Sequence, residues 1–146
     1  MRIFVWLLVV VLSKNSFALA LEELSEQDIN HIAQQVINYH KTEDPRLLRE
    51  ILSSQLAVTV SQGSDYVGFK VHYDRQEYLT YLAKGHKSTT RRGTDAKVIS
   101  TEYLGNKEAK IIIRYRSKRL NRYVWMEAIV GLENNQAKII EIDEFN

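Results

Sequence analysis

The chain has 146 residues, 26% of them charged and 45% hydrophobic, with one proline and no cysteine. That length suits a single domain, and the composition excludes collagen-like, low-complexity, disulfide-scaffold and wholly disordered chains. Lysine and arginine number 20 against 18 aspartates and glutamates, a formal excess of +2 that invites a nucleic-acid or membrane partner only until the N-terminus is read.

Residues 1–20 read MRIFVWLLVVVLSKNSFALA. Arg2 supplies a positive start, Ile3 to Leu12 is an unbroken apolar run, and Ala18-Leu19-Ala20 fits the small-x-small cleavage rule of a signal peptide. The competing reading is a membrane anchor, but the run is shorter than the roughly 20 residues that span a bilayer. Lys14, just after the run, is atypical and leaves the uncleaved form open. Cleavage near Ala20 leaves residues 21–146 as one domain. It removes Arg2 and Lys14, so basic residues fall from 20 to 18, equal to the 18 acidic ones. With no net charge, no nucleic-acid partner is expected, and a charged partner has to be met by local patches. A cysteine-free chain avoids disulfides in an oxidising compartment. Bacterial periplasm or secretion is the expected location, with membrane contact only through a retained leader.

Ser25 followed by Asp28 is a helix-capping pattern, flanked by Leu24 and Ile29 as a hydrophobic staple. The apolar stripe Ile29, Ile32, Ala33, Val36, Ile37 then predicts a first helix, with His40 next in phase. Asp44-Pro45 opens a second helix with the stripe Leu47, Leu48, Ile51, Leu52. Leu56 to Val60 alternates as a strand, residues 62–65 read as a turn, and Tyr66 to Tyr73 as a second strand or extended arm. Asp74 and Glu77 cap a third helix that carries Tyr78, Leu79, Tyr81 and Leu82 and ends near Gly85. Residues 86–93 (HKSTTRRG) read as a polar, basic loop.

From Thr94 the period becomes two. Strands are predicted over about 95–104, 108–118, 123–132 and 136–145, an antiparallel meander. Folding it at its turns predicts two inward rows, Val98–Ile113–Met126–Ile142 and Ser100–Ile111–Ala128–Ile140. The outward face carries Lys97, Ile99, Thr101, Tyr103, Ile112, Arg114, Arg116, Tyr123, Trp125, Glu127, Ile129, Ile139, Glu141, Asp143 and Phe145, with a predicted row Arg114–Trp125–Asp143.

The first-helix stripe, the segment Lys41-Thr42-Glu43-Asp44-Pro45, the start Asp74-Arg75-Gln76-Glu77-Tyr78-Leu79 and the ending Asn135 to Phe145 together carry a resemblance. Over residues 22–146 the chain resembles the nuclear transport factor 2-like, cystatin-like cone superfamily, which includes SnoaL-like and ketosteroid-isomerase-like proteins; Ala137 stands where many relatives have Trp. The resemblance implies an α+β domain, with three N-terminal helices packed on a curved antiparallel sheet that forms a cone with a pocket. It also implies dimerisation through the outer sheet face. It does not fix the function, because such folds host isomerases, cyclases, ligand binders and components of secretion machines.

Proton-abstraction chemistry in such a pocket needs a carboxylate base beside an oxyanion stabiliser. Tyr39, His40, Tyr78, Tyr81, Tyr115 and Met126 are the pocket candidates, with His72, Tyr73 and Glu102 as further polar possibilities. The predicted inward rows are mostly aliphatic and hold no aspartate, which argues against a close ketosteroid-isomerase mechanism. No residue is assigned as catalytic. The four histidines, His31, His40, His72 and His86, are scattered and match no metal-ligand spacing, so neither a metal nor a cofactor is expected. Basic residues concentrate at 84–92 and 114–122, and suit a solvated rim or an anionic ligand. Arg114, Arg116, Tyr123, Trp125, Glu127 and Phe145 are the interface candidates, since the outward face is too apolar for a solvated sheet. The expected role is non-enzymatic binding of a small apolar or anionic ligand, or of an envelope protein, in a homodimer. The alternatives are a small-molecule isomerase, cyclase or hydratase, and an accessory subunit of a secretion machine.

Overall fold

A computed structural model describes residues 23–64, 67–89 and 91–146. The leader, the expected cleavage point and part of the predicted 62–65 turn lie outside the described residues.

Two helices come first. α1 (Glu26–Thr42) starts on the expected capping box: the Asp28 N–H donates to Ser25 Oγ at 3.1 Å and the Ser25 N–H to Asp28 Oδ2 at 3.1 Å. Leu24 and Ile29 are both buried beside it, as the staple requires. α2 (Pro45–Ile51) follows at once, capped by Asp44, whose Oδ1 accepts from the Arg46 N–H at 3.0 Å. β1 (Leu52–Ser64) begins where α2 ends, so Leu52 belongs to the strand and not to the helix. β2 (Val67–Asp74) returns antiparallel to β1. Asp74 then caps α3 (Arg75–Lys87), with the Glu77 N–H on Asp74 Oδ1 at 2.8 Å and the Asp74 N–H on Glu77 Oε2 at 2.9 Å. The meander is β3 (Lys97–Tyr103), β4 (Glu108–Ser117), β5 (Arg122–Glu133) and β6 (Gln136–Phe145). Its last hairpin turns on Asn134 and Asn135, at φ 48° and 66°. Two consecutive left-handed residues make the tight turn that matches strand twist, and asparagine tolerates that conformation.

The six strands form one open sheet in the order β2-β1-β6-β5-β4-β3. This corrects two expectations. The sheet is mixed, because β1 runs parallel to β6. Of the three helices among the described residues only two precede the sheet; α3 falls between β2 and β3. The helices cover one face, where Ile29, Ile32 and Val36 of α1 and Tyr78 and Leu82 of α3 meet Ile111, Ile113, Met126, Ala128 and Ile142. Burying each such large side chain fully is worth about 1.5–3 kcal/mol.

Two bulges move the predicted rows. One shifts register between Val98 and Ser100, so Thr101, not Ser100, faces Ile111. The other shifts register between Ile129 and Val130, leaving Ile140 as the extra residue of β6. Ile139 thereby turns inward and is fully buried, against the outward position expected for it. Ile140 turns outward and packs over Gly131, where a Cβ would meet its Cδ1 at 3.1 Å. The rows become Val98–Ile113–Met126–Glu144 and Thr101–Ile111–Ala128–Ile142 inside, and Arg114–Trp125–Phe145 outside.

Candidate functional site

The shifted register puts a carboxylate where the sequence reading expected aliphatic side chains. Glu144 sits on β6 two residues past the buried Ile142, opposite Met126 of β5 and Val60 of β1, and is itself buried. Tyr78 and Tyr81, three apart on one face of α3, reach it or its partner from above. Tyr115 continues the inward alternation Ile111, Ile113 of β4. Arg91 comes from the loop before β3 and is 7% exposed, not the solvated rim residue its polar surroundings suggest.

These groups form one network. Glu144 Oε1 accepts from Tyr78 Oη at 2.7 Å and Arg91 Nη1 at 3.4 Å. Glu144 Oε2 accepts from Tyr115 Oη at 3.0 Å and Arg91 Nη2 at 3.2 Å. Two donors on each oxygen use up the roughly four lone-pair positions of a carboxylate. Arg91 also donates from Nη1 to Tyr115 Oη at 3.0 Å and from Nη2 to Tyr81 Oη at 3.4 Å. Its guanidinium carbon lies 5.5 Å from the centroids of both the Tyr81 and Tyr115 rings. Burial by itself would raise the Glu144 pKa. The Arg91 charge and the three sets of hydrogen bonds outweigh it, so the carboxyl stays below its ordinary range and ionised. Burial, then the Glu144 charge, holds Tyr78 and Tyr115 well above the usual phenol range, as neutral donors.

The Arg91 loop is fastened to the end of α1. That helix stops on Glu43 at φ 55°, an uncommon conformation for a residue with a side chain. Glu43 is fully buried, and its Oε1 accepts the Arg91 N–H at 2.7 Å. The Gly93 N–H donates to the His40 carbonyl at 2.8 Å. Thr94 Oγ1 gives its single proton to the Arg91 carbonyl at 2.7 Å, so at its 2.7 Å contact with His40 Nδ1 it must accept. That assigns His40 the Nδ1–H tautomer and leaves Nε2, buried, with no partner. Burial first, then the nearby Arg91 charge, pushes the His40 pKa down to about 3, so the ring is neutral. Tyr39 Oη and Glu43 Oε2 are likewise buried and, among the described residues, have no hydrogen-bond partner.

A cavity of about 340 Å³ opens beside this network, between α3, β1 and the β4–β5 hairpin. Its inner end is Tyr81, Arg91, Tyr115 and Glu144; Val60, Leu120 and Val124 form apolar wall; Lys84 and Arg119 stand at the exposed rim. Of the six pocket candidates, Tyr81 and Tyr115 line it. Tyr78 lies behind Glu144, His40 packs on Tyr115 with ring centroids 4.4 Å apart, and Tyr39 packs edge-on against His40. Met126 is core and does not line the cavity. Tyr73 stacks on Tyr81 at 5.3 Å, whereas exposed His72 contacts Thr59 Oγ1 at 3.1 Å and Glu102 pairs with Lys110 at 3.2 Å, both away from the network. Among the described residues no three His, Cys, Asp or Glu side chains group as metal ligands.

The interface candidates do share the outer face. Arg114 lies 4.5 Å from the Tyr123 ring centroid and 5.7 Å from that of Trp125. Among the described residues no ion pair joins Arg114 or Arg116 to Glu127, Glu141 or Asp143, and Arg116 bonds Asn121 Oδ1 at 2.8 Å. Glu127 and Asp143 face each other directly across the strands.

No protein-family model matches the sequence, and no curated protein does. Solved structures match it in shape. A nuclear transport factor 2-like protein of unknown function from Silicibacter pomeroyi is 8% identical, with 81% of this chain and 92% of that one covered at a TM-score of 0.61. A similar protein from Methylobacillus flagellatus is 7% identical, with 85% and 95% covered at 0.61. An uncharacterised protein with a cystatin-like fold from Caulobacter vibrioides is 11% identical, with 82% and 87% covered at 0.59. The order of helices and the mixed, open sheet therefore make this the nuclear transport factor 2-like, cystatin-like fold.

Proposed function

We propose that the chain is an exported domain that binds a small ligand in the cavity beside Glu144 and does not turn it over. The state of Glu144 carries this reading. Among the described lining residues it is the single side-chain carboxylate, and four hydrogen-bond contacts from three residues occupy it. A general base needs a free lone pair directed at substrate and a pKa raised toward the working pH. This carboxylate has its lone pairs filled and its pKa lowered. The network instead makes a rigid inner wall, which suits recognition. Export is supported by the leader, and a second copy on the outer sheet face by Tyr123 and Phe145, which are exposed there. Native mass spectrometry of protein purified from the periplasm tests the reading. The expected species is residues 21–146 carrying a noncovalent small-molecule adduct. A bare protein under every gentle condition would overturn the ligand, and a retained residue 1 would overturn leader cleavage.

A further inference from the structure

We propose that the ligand is a small organic anion, its carboxylate or phosphate head held at the rim by Lys84 and Arg119 and its short apolar body laid on Leu120, Val124 and the Tyr81 ring. This rests on the cavity being a ligand site, and it follows from which donors and acceptors the lining has left over.

The acceptors are spent. Glu144 has two donors on each oxygen, and Tyr115 gives its proton to Glu144. The donors are not. Tyr81 Oη accepts from Arg91, and its own proton has no acceptor among the described residues. Lys84 forms no ion pair among them. Among the described residues Arg119 makes one side-chain hydrogen bond, from Nη2 to Gln62 Oε1 at 3.3 Å, and the rest of its fork has no acceptor there. Charge agrees. The lining holds three cations, Lys84, Arg91 and Arg119, against one anion, Glu144, for a balance of +2. An α-carboxylate at Asn146 would lower that to +1 without changing the sign. The Arg91–Glu144 pair cancels at the inner end, so the surplus sits at the rim, with apolar wall between the two. A ligand cation would meet like charge and no open carboxylate; a neutral alcohol would leave both rim cations unused. Arginine and lysine together serve carboxylate and phosphate alike.

Calorimetric titration of the exported chain with hexanoate, hexyl phosphate, hexylammonium and hexanol decides the matter, since the four share one body. Charge-assisted hydrogen bonds exceed neutral ones enough to give the anions at least about a tenfold advantage over hexanol. The ratio of hexanoate to hexyl phosphate identifies the head group. In Lys84→Ala/Arg119→Ala, two exposed positions, the affinity for hexanoate should fall to that for hexanol while hexanol is unaffected and the urea midpoint is unchanged. Hexanol or hexylammonium binding as tightly as hexanoate would overturn the anion and leave the cavity as a ligand site. No binding by any of the four at millimolar concentration would overturn both.

Discussion

Replacing Arg91 with Met tests the buried network at its most connected point. The change keeps most of the aliphatic stem and removes the guanidinium, which lies 5.5 Å from the centroids of the Tyr81 and Tyr115 rings and is, among the described residues, the one cation paired with Glu144. The side chains of this pair are 9% and 2% exposed, so water cannot take the place of the guanidinium. Breaking one partner of a pair buried to this degree costs about 3–5 kcal/mol, because the remaining charge stays desolvated. A domain of this size is stable by about 5–15 kcal/mol, so the loss is a large share and should lower Tm by about 10–20 °C. Urea unfolding followed by circular dichroism measures it, with an unchanged slope confirming that the denatured state is not involved. The double variant Arg91→Met/Glu144→Gln should recover a substantial part, since the amide oxygen still accepts from Tyr78 or Tyr115 and no charge is left buried. The pH dependence has a defined sign. In the wild type the folded Glu144 pKa lies below the ordinary 4.5, so its contribution is present above that value and lost as pH falls through the folded pKa. Without Arg91, burial prevails and the folded pKa rises above 4.5, so the variant's deficit shrinks on acidification and the two proteins converge. A loss under about 1 kcal/mol, or a double variant no more stable than the single, would refute the network as a unit.

The neutral His40 ring makes a second acid-sensitive element. Its folded pKa of about 3 against 6.5 unfolded means the unfolded chain binds the extra proton between those values, so stability is full above 6.5 and declines below it. His40→Asn, which can still donate to Thr94, should flatten the fall in urea midpoint between about pH 7 and about pH 5; equal slopes would sink the assignment. On the outer face, Trp125→Glu should convert a dimer to a monomer in sedimentation, and an unchanged mass would remove that face as the interface. Asp74→Ala removes the side-chain half of the α3 cap, the acceptor of the Glu77 N–H, while keeping the backbone N–H that donates to Glu77, and should cost about 1 kcal/mol in urea unfolding; a neutral effect would mean the helix end is held by packing alone.

Local patterns carried well from sequence to structure. The three helix starts were legible because each is announced by a cap within four residues, and the meander because its strands alternate. Glu144 was legible in principle: extending the inward alternation from Ile140 through Ile142 lands on it, although the bulge leaves Ile140 itself outside that row. It stands one alternation beyond the last residue of the predicted inward rows, and it is a glutamate where those rows lack an aspartate. The bulge at Ile140 had no signal, since Ile139 and Ile140 are identical side chains and either can face the core. The burial of Arg91 is not legible locally for a different reason. Its neighbours are polar, and the partner that justifies its burial lies 53 positions away. The same distance problem hid the parallel pairing of β1 with β6, whose residues lie about half a chain apart.

The place of β6 also sets an order in time. A chain made from its N-terminus has α1, α2, β1, β2 and α3 in hand early, and β3 to β5 later, yet these two groups share no strand-to-strand pairing. Residues 136–145 fill the gap between them, and Glu144 arrives within that same stretch. Until then the first hairpin has a bare edge, β5 has another, and Arg91 has no counter-charge. Such long-range closure is slow compared with local folding. The sheet therefore stays open until residues 136–145 are available to pair, a property that would suit the export proposed for the chain.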